Sequence, residues 1–207
     1  MTFAREPRLI PLQIKHLRPT QLTVGLREVA QKREEWRSRA AEQRAEYLGT
    51  HLIPVVLGPK GKPYIIDHHH LARALHEEGV EEVATTVVAD LSALEPEAFW
   101  IHLDNRAWMH LYDAAGERRG PKHLPKHVGE MADDPYRSLS GALRRAGGFA
   151  KDTTPFSEFL WADYLRRRVR PDLLDSDPDK ALAYAMSLAK EQEAAYLPGW
   201  CGPVMRD

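Results

Sequence analysis

Asp67, His68, His69, His70 and Arg73 bring one carboxylate, three imidazoles and a guanidinium into a short stretch of chain. They follow the apolar run Tyr64-Ile65-Ile66 and lead straight into a helical pattern that starts at Leu71. Where a strand gives way to a helix, backbone N–H groups point outward, and such junctions bind anions. Imidazole moves protons near neutral pH, a carboxylate orients groups or holds a divalent cation, and a guanidinium neutralises phosphate charge. Geometry limits what three consecutive imidazoles do together. Successive residues alternate across a strand and lie about 100° apart around a helix, so at most two converge on one point. The run also lacks the HExxH spacing that places two histidines on one helix face. A metal centre here would need ligands from elsewhere, such as His102, Asp104 or His110. Metal binding, anion binding aided by Arg73, and plain capping of a helix start are the three readings of this stretch.

Other groups carry chemistry less sharply. Glu28, flanked by Arg27 and Lys32, has the residue type of a general base or magnesium ligand, and equally of a solvated helix face. His102-Leu103-Asp104-Asn105-Arg106 reads as added charge near the site or as a helix end. Lys122-His123-Leu124-Pro125-Lys126-His127 is a basic loop of phosphate-binding or simply exposed type. Arg144-Arg145 and Arg166-Arg167-Arg168 are basic runs on helices, suited to solvent or to nucleic acid. Phe156, Phe159, Trp161 and Tyr164 fall at helical spacing and are expected in a core rather than in a base-stacking platform.

The elements that must position these groups can be read along the chain. Leu9–Ile14 is a short strand, and Pro19 breaks any regular element near it. Residues 25–48 are rich in Arg, Glu, Ala, Gln and Lys and predict one long helix. Leu52–Leu57 and Pro63–Ile66 are strands joined through Gly58-Pro59-Lys60-Gly61-Lys62, so a hairpin delivers the acid and the three imidazoles. A helix over 71–78 stops at Gly79, and 82–89 is a strand of β-formers. Residues 9–90 thus make a β–α–β–β–α–β unit. Beyond it, helices are expected over 96–108, 135–146, 156–169 and 179–195, with a loop-rich connection at 111–130.

Composition narrows the class. The chain has 207 residues, 43% apolar and 29% charged, with a net charge of −1, enough to bury a core but without a basic field that would advertise nucleic acid or membrane binding. The single cysteine, Cys201, cannot form an intrachain disulfide and is expected to be a bystander. Met1–Pro7 lacks the apolar core of a signal peptide, and no window reaches the roughly 20 apolar residues of a membrane span. A soluble, cytoplasmic protein is the expectation.

Two segments carry a family resemblance: Leu17-Arg18-Pro19-Thr20-Gln21-Leu22-Thr23-Val24-Gly25 with Val29 and Lys32, and Ile66-Asp67-His68-His69-His70-Leu71-Ala72-Arg73-Ala74. Together they resemble the ParB-like nuclease family of the ParB/sulfiredoxin superfamily, with a match that extends to about residue 170. The resemblance implies an α+β chain: a small mixed-sheet ParB-like domain over 1–92 and a mainly helical extension over 93–207 packed on it. It implies that the junction binds nucleotide or nucleic-acid phosphate, with phosphoryl transfer or phosphodiester hydrolysis as the chemistry. His68, His69, His70, Asp67 and Glu28 are then the candidate catalytic residues, and Arg73 and His70 the phosphate contacts. Magnesium and a nucleotide are the implied cofactors, and an oligomer is compatible. Where partition proteins have a Gly-Glu-Arg-Arg box this chain has Asp67-His68-His69-His70, and the sulfiredoxin cysteine is absent. The alternative is a non-catalytic DNA-binding or partition-associated module using Arg144, Arg145 and Arg166 to Arg168.

Overall fold

The computed structural model describes residues 8–203; Met1–Pro7, on which the signal-peptide reading fell, lies outside the described residues. Its strands are β1 (Arg8–Gln13), β2 (Arg18–Pro19), β3 (Thr23–Val24), β4 (Ile53–Gly58), β5 (Lys62–Ile65), β6 (Glu82–Asp90) and β7 (Ala132–Asp133). Its helices are α1 (Leu26–Arg37), α2 (Ala41–Thr50), α3 (His69–Glu77), α4 (Pro96–Asn105), α5 (Pro135–Arg145), α6 (Ser157–Arg166), α7 (Pro171–Ser176) and α8 (Pro178–Leu188). The fold is α+β. Its contacts separate two compact units. One holds the described residues through Val24 together with Val29–Ala132; the other holds Gly25–Glu28 and the described residues from Asp133 onward.

The first unit is built on a five-stranded mixed sheet in the order β1-β6-β4-β5-β2. β1 runs antiparallel to β6, β6 parallel to β4, β4 antiparallel to β5, and β5 parallel to β2. Pairing of β4 with β6 shifts register between Val55 and Val56, which lets both valines be fully buried next to each other. Both edge strands contain a proline, Pro11 in β1 and Pro19 in β2. Gly58 closes β4 because a Cβ there would stand 2.6 Å from the Tyr64 ring and 2.7 Å from Phe99. α3 buries Leu71, Ala72, Ala74 and Leu75, and ends where Gly79 takes φ +72° and the Val80 N–H reaches back to the Leu75 carbonyl. This unit continues past residue 92. Phe99 and Leu103 of α4, with Met109 and Leu111 after it, pack against Val56 and Tyr64.

The second unit is helical. Tyr136, Leu139, Leu143, Phe149, Trp161, Tyr164 and Leu165 belong to one buried cluster with residues of α7 and α8; of the four aromatics at helical spacing, Trp161 and Tyr164 join it, Phe159 is buried outside it and Phe156 is half-buried. Asp134 caps α5 by accepting the Tyr136 and Arg137 N–H groups, and Asp177 caps α8 through the Lys180 N–H.

Several element boundaries differ from the sequence expectation; α4 ends at Asn105 and α8 at Leu188, short of the expected 108 and 195. The long helix over 25–48 is two helices, because the chain turns at Ser38–Ala40 and restarts in a β-region residue, Ala40, at ψ 163°. α3 starts at His69, so two of the three histidines lie inside its first turn rather than ahead of it. α7 lies between the helices expected over 156–169 and 179–195; its Pro171 sits at the first helical turn, where a missing N–H costs nothing.

Candidate functional site

The junction between β5 and α3 is set by one unusual residue. His68 adopts φ 61°, ψ 27°, the left-handed region, and so turns the chain from the sheet into the helix. The Asp67 carboxylate accepts the His68 N–H at 2.6 Å. The first intrahelical bond is Ala72 N–H to the His68 carbonyl, so the N–H groups ahead of it, from His69 to Leu71, find no carbonyl inside the helix. No side chain of the cap residue closes this end, and no acid lies in its first turn. Donors of this kind and the positive end of the helix dipole together favour an anion.

Burial sorts the three imidazoles. Asp67 and His68 are exposed, whereas His69 is 2% and His70 8% exposed. The His69 ring lies under the sheet edge, where Nε2 accepts the Thr20 N–H at 3.1 Å. Burial, reinforced by the neighbouring His70, His68 and His110 imidazoles, holds His69 well below the usual histidine range, against an opposing pull from the Ile65 backbone. It is a neutral, inaccessible imidazole, and Nδ1 has no hydrogen-bond partner among the described residues. Of the three, His68 is the one open to solvent.

Arg73 is bound within the protein. Its Nε donates to Glu77, and its Nη1 donates to the Met131 carbonyl at 2.9 Å and, more weakly, to that of Val128 at 3.4 Å. Glu77 also accepts from Arg33 at 2.8 Å, Arg33 donates to Glu78 at 2.6 Å, and Glu78 accepts from Arg37 at 2.8 Å. An ionic ladder thus runs from α1 across α3 to the turn at 128–131. The next helical turn adds His76, whose ring lies 6.1 Å from that of His127, with Gly129 fitted against both.

Glu28 belongs to the second unit. Arg137 donates to it at 3.0 Å, Arg145 stands at 4.0 Å, and Gly141 leaves room for its carboxylate, since a Cβ there would meet Oε2 at 2.7 Å. The basic runs of this unit are similarly engaged. Arg144 pairs with Glu158, Arg166 with Asp134 and Asp163, and Arg167 with Asp163, while Arg168 lies over the Tyr164 ring at 3.8 Å. In the first unit, His102 and Asp104 are on α4, with Asp104 ion-paired to Arg118. Among the described residues no group of three or more His, Cys, Asp or Glu side chains is arranged to hold a metal ion. None of their helices is long and apolar enough to cross a membrane. Cys201 is exposed.

Sequence reasoning missed the role of Thr20, and it weighed His110 only as a metal ligand. Thr20 donates its hydroxyl to the Ile65 carbonyl at 2.9 Å and its N–H to His69, and its own carbonyl accepts the His110 N–H at 2.9 Å. Thr20 lies within the first of the two family-like segments, but nothing in its neighbours along the chain signals three partners so distant in sequence.

Residues 10–167 match a family model described as "Putative ParB-like nuclease". Among solved structures, the chain is similar to the crystal structure of protein Atu1540 from Agrobacterium tumefaciens, with 53% sequence identity and a TM-score of 0.90. That likeness covers 96% of this chain and 100% of the other. Comparison with curated proteins gives no match.

Proposed function

Because the chain belongs to the ParB-like nuclease family, we propose that it binds a phosphate-bearing ligand, a nucleotide or a nucleic-acid phosphate, at the Asp67–Arg73 junction. The carrying observation is the start of α3, where His68 in the left-handed region turns the chain into the helix, makes no capping bond with its own side chain and holds an exposed imidazole at the positive end of the helix dipole. The proposed chemistry is phosphoryl transfer or phosphodiester hydrolysis. His68 is the group that exchanges a proton with the ligand, since His69 and His70 are buried. Arg73 serves by fixing α3 rather than by touching phosphate, because its guanidinium is taken up by Glu77 and two carbonyls.

The donor set does not fit a protein-held magnesium ion. Asp67 is the one carboxylate of the junction, and magnesium held by so few protein ligands arrives with its phosphates. No step is therefore assigned to it. Glu28, paired with Arg137, is read as a structural acid of the second unit.

Calorimetric titration with ATP, ADP and a single-stranded oligonucleotide, each with and without magnesium, tests the reading, together with assays of phosphate release and strand cleavage. Binding by the parent protein and loss of turnover in His68→Ala are expected. Failure of the parent to bind any of these probes defeats it.

A further inference from the structure

Thr20 is fully buried, and each of its polar groups is committed. Its hydroxyl donates to the carbonyl of Ile65, the last residue of β5; its N–H donates to Nε2 of His69, the first residue of α3; its carbonyl takes the His110 N–H. One residue just beyond β2 therefore holds both sides of the turn at Ile66–His68.

The direction of these bonds determines the state of His69. Thr20 has one hydroxyl hydrogen, and it goes to Ile65, so the 3.3 Å approach of that oxygen to Nε2 is not a second donation. Nε2 accepts a backbone N–H, which requires its lone pair. A neutral ring then carries its proton on Nδ1, and Nδ1 is sealed from solvent. Such a ring neither accepts a proton from a ligand nor donates one. What it can do is fix its own backbone, and the His69 N–H is the first donor at the start of α3.

We propose that Thr20 is the positioning residue of the phosphate site: through its bonds to Ile65 and His69 it aims the first N–H groups of α3 without touching the ligand. The assignment rests on the phosphate-binding reading of the junction. It makes the second histidine of the run an anchor and the first its reactive member.

The test compares the full chain with Thr20→Val, which keeps the N–H and the side-chain shape but loses the hydroxyl donor, and with Thr20→Ser, which restores it. His69→Gln, with an amide oxygen in place of Nε2, supplies a second variant should Thr20→Val fail to fold. Affinity is measured with magnesium-ATP and, separately, with inorganic phosphate, at a temperature where circular dichroism shows every variant folded. Thr20→Val is expected to bind about ten-fold more weakly, the scale of one lost buried hydrogen bond. Thr20→Ser should return to within about two-fold of the parent, and His69→Gln should stay closer to the parent than His69→Leu. Nitrogen-15 spectra of the parent should show His69 protonated at Nδ1. A parent that binds neither probe overturns the phosphate reading and this assignment with it. A binding parent matched by Thr20→Val, even one with a lowered melting temperature, overturns the positioning role alone. So does a His69 ring protonated at Nε2.

Discussion

His68 stands in the left-handed region, a conformation that costs a residue bearing a Cβ about 1–2 kcal/mol. Glycine takes it without that strain but loses more freedom on folding. His68→Gly should therefore raise stability by about 0.5–1 kcal/mol in urea unfolding while abolishing proton transfer at the junction. A clear loss of stability instead would mean that the imidazole makes a supporting contact. Two other histidines predict a pH dependence. Burial lowers His69 and His76, and His127 and Arg73 push His76 the same way, against an opposing pull from Glu77. The unfolded chain takes up protons near pH 6.5, which the folded chain refuses until lower pH. Their contribution is thus complete above about pH 6.5 and declines as the pH falls from there toward the lowered folded values. Depressed carboxylates such as Glu78 add their own loss only below about pH 4.5. The urea midpoint should drop between about pH 8 and about pH 5.5, and a flat midpoint over that range would refute the assignment. As side chains the three residues at 68–70 are identical, and sequence could only limit their convergence. Which ring faces water followed from where α3 begins, and the partner of the buried His69 ring, the Thr20 N–H, lies far away in the chain.

At the scale of elements, α5 has a cap that does two jobs. One Asp134 oxygen accepts the Tyr136 and Arg137 N–H groups at 3.0 and 3.2 Å, and the other takes Arg166 at 2.6 Å. Burial raises the carboxyl above its ordinary value, while Arg166 and the two N–H groups pull it back. Asp134→Ala removes the cap and the ion pair and is expected to cost about 2–4 kcal/mol in thermal or urea unfolding. Asp134→Asn keeps a capping oxygen and should cost about half as much. Equal losses would show that the ion pair, not the cap, is what matters. The helices expected over 135–146 and 179–195 were legible because capping and termination are local chemistry: Asp177-Pro178 opens α8, and α5 ends ahead of Gly147-Gly148. The hairpin of β4 and β5 was legible for the same reason, through its Gly-Pro-Lys-Gly turn. The break between α1 and α2 was not, since Ser38-Arg39-Ala40 contains no strong breaker and both flanks favour helix. Nor was the commitment of Arg73, whose partners at 128–131 lie in a loop that only the fold brings to α3.

The whole molecule has a net charge of −1, and many of its arginines are paired with its own carboxylates. A surface of that kind releases few counterions on meeting DNA. Any affinity for a duplex oligonucleotide should fall less than about 100-fold between about 50 and 200 mM salt, against the roughly 10³–10⁵-fold of proteins making six to ten phosphate contacts. A steeper slope by fluorescence anisotropy would restore the DNA-binding module as the better reading. The five-stranded sheet ends on each side in a strand that includes a proline. Pro19 is buried in a strand only two residues long, whereas an extended chain arriving at the β1 flank meets the exposed Pro11, a residue with no hydrogen to share. With Leu9 61% exposed beside Pro11, that flank is the sticky one, and the proline interrupts it. Pro11 thus guards the sheet against growth from molecule to molecule, the first step toward a fibre.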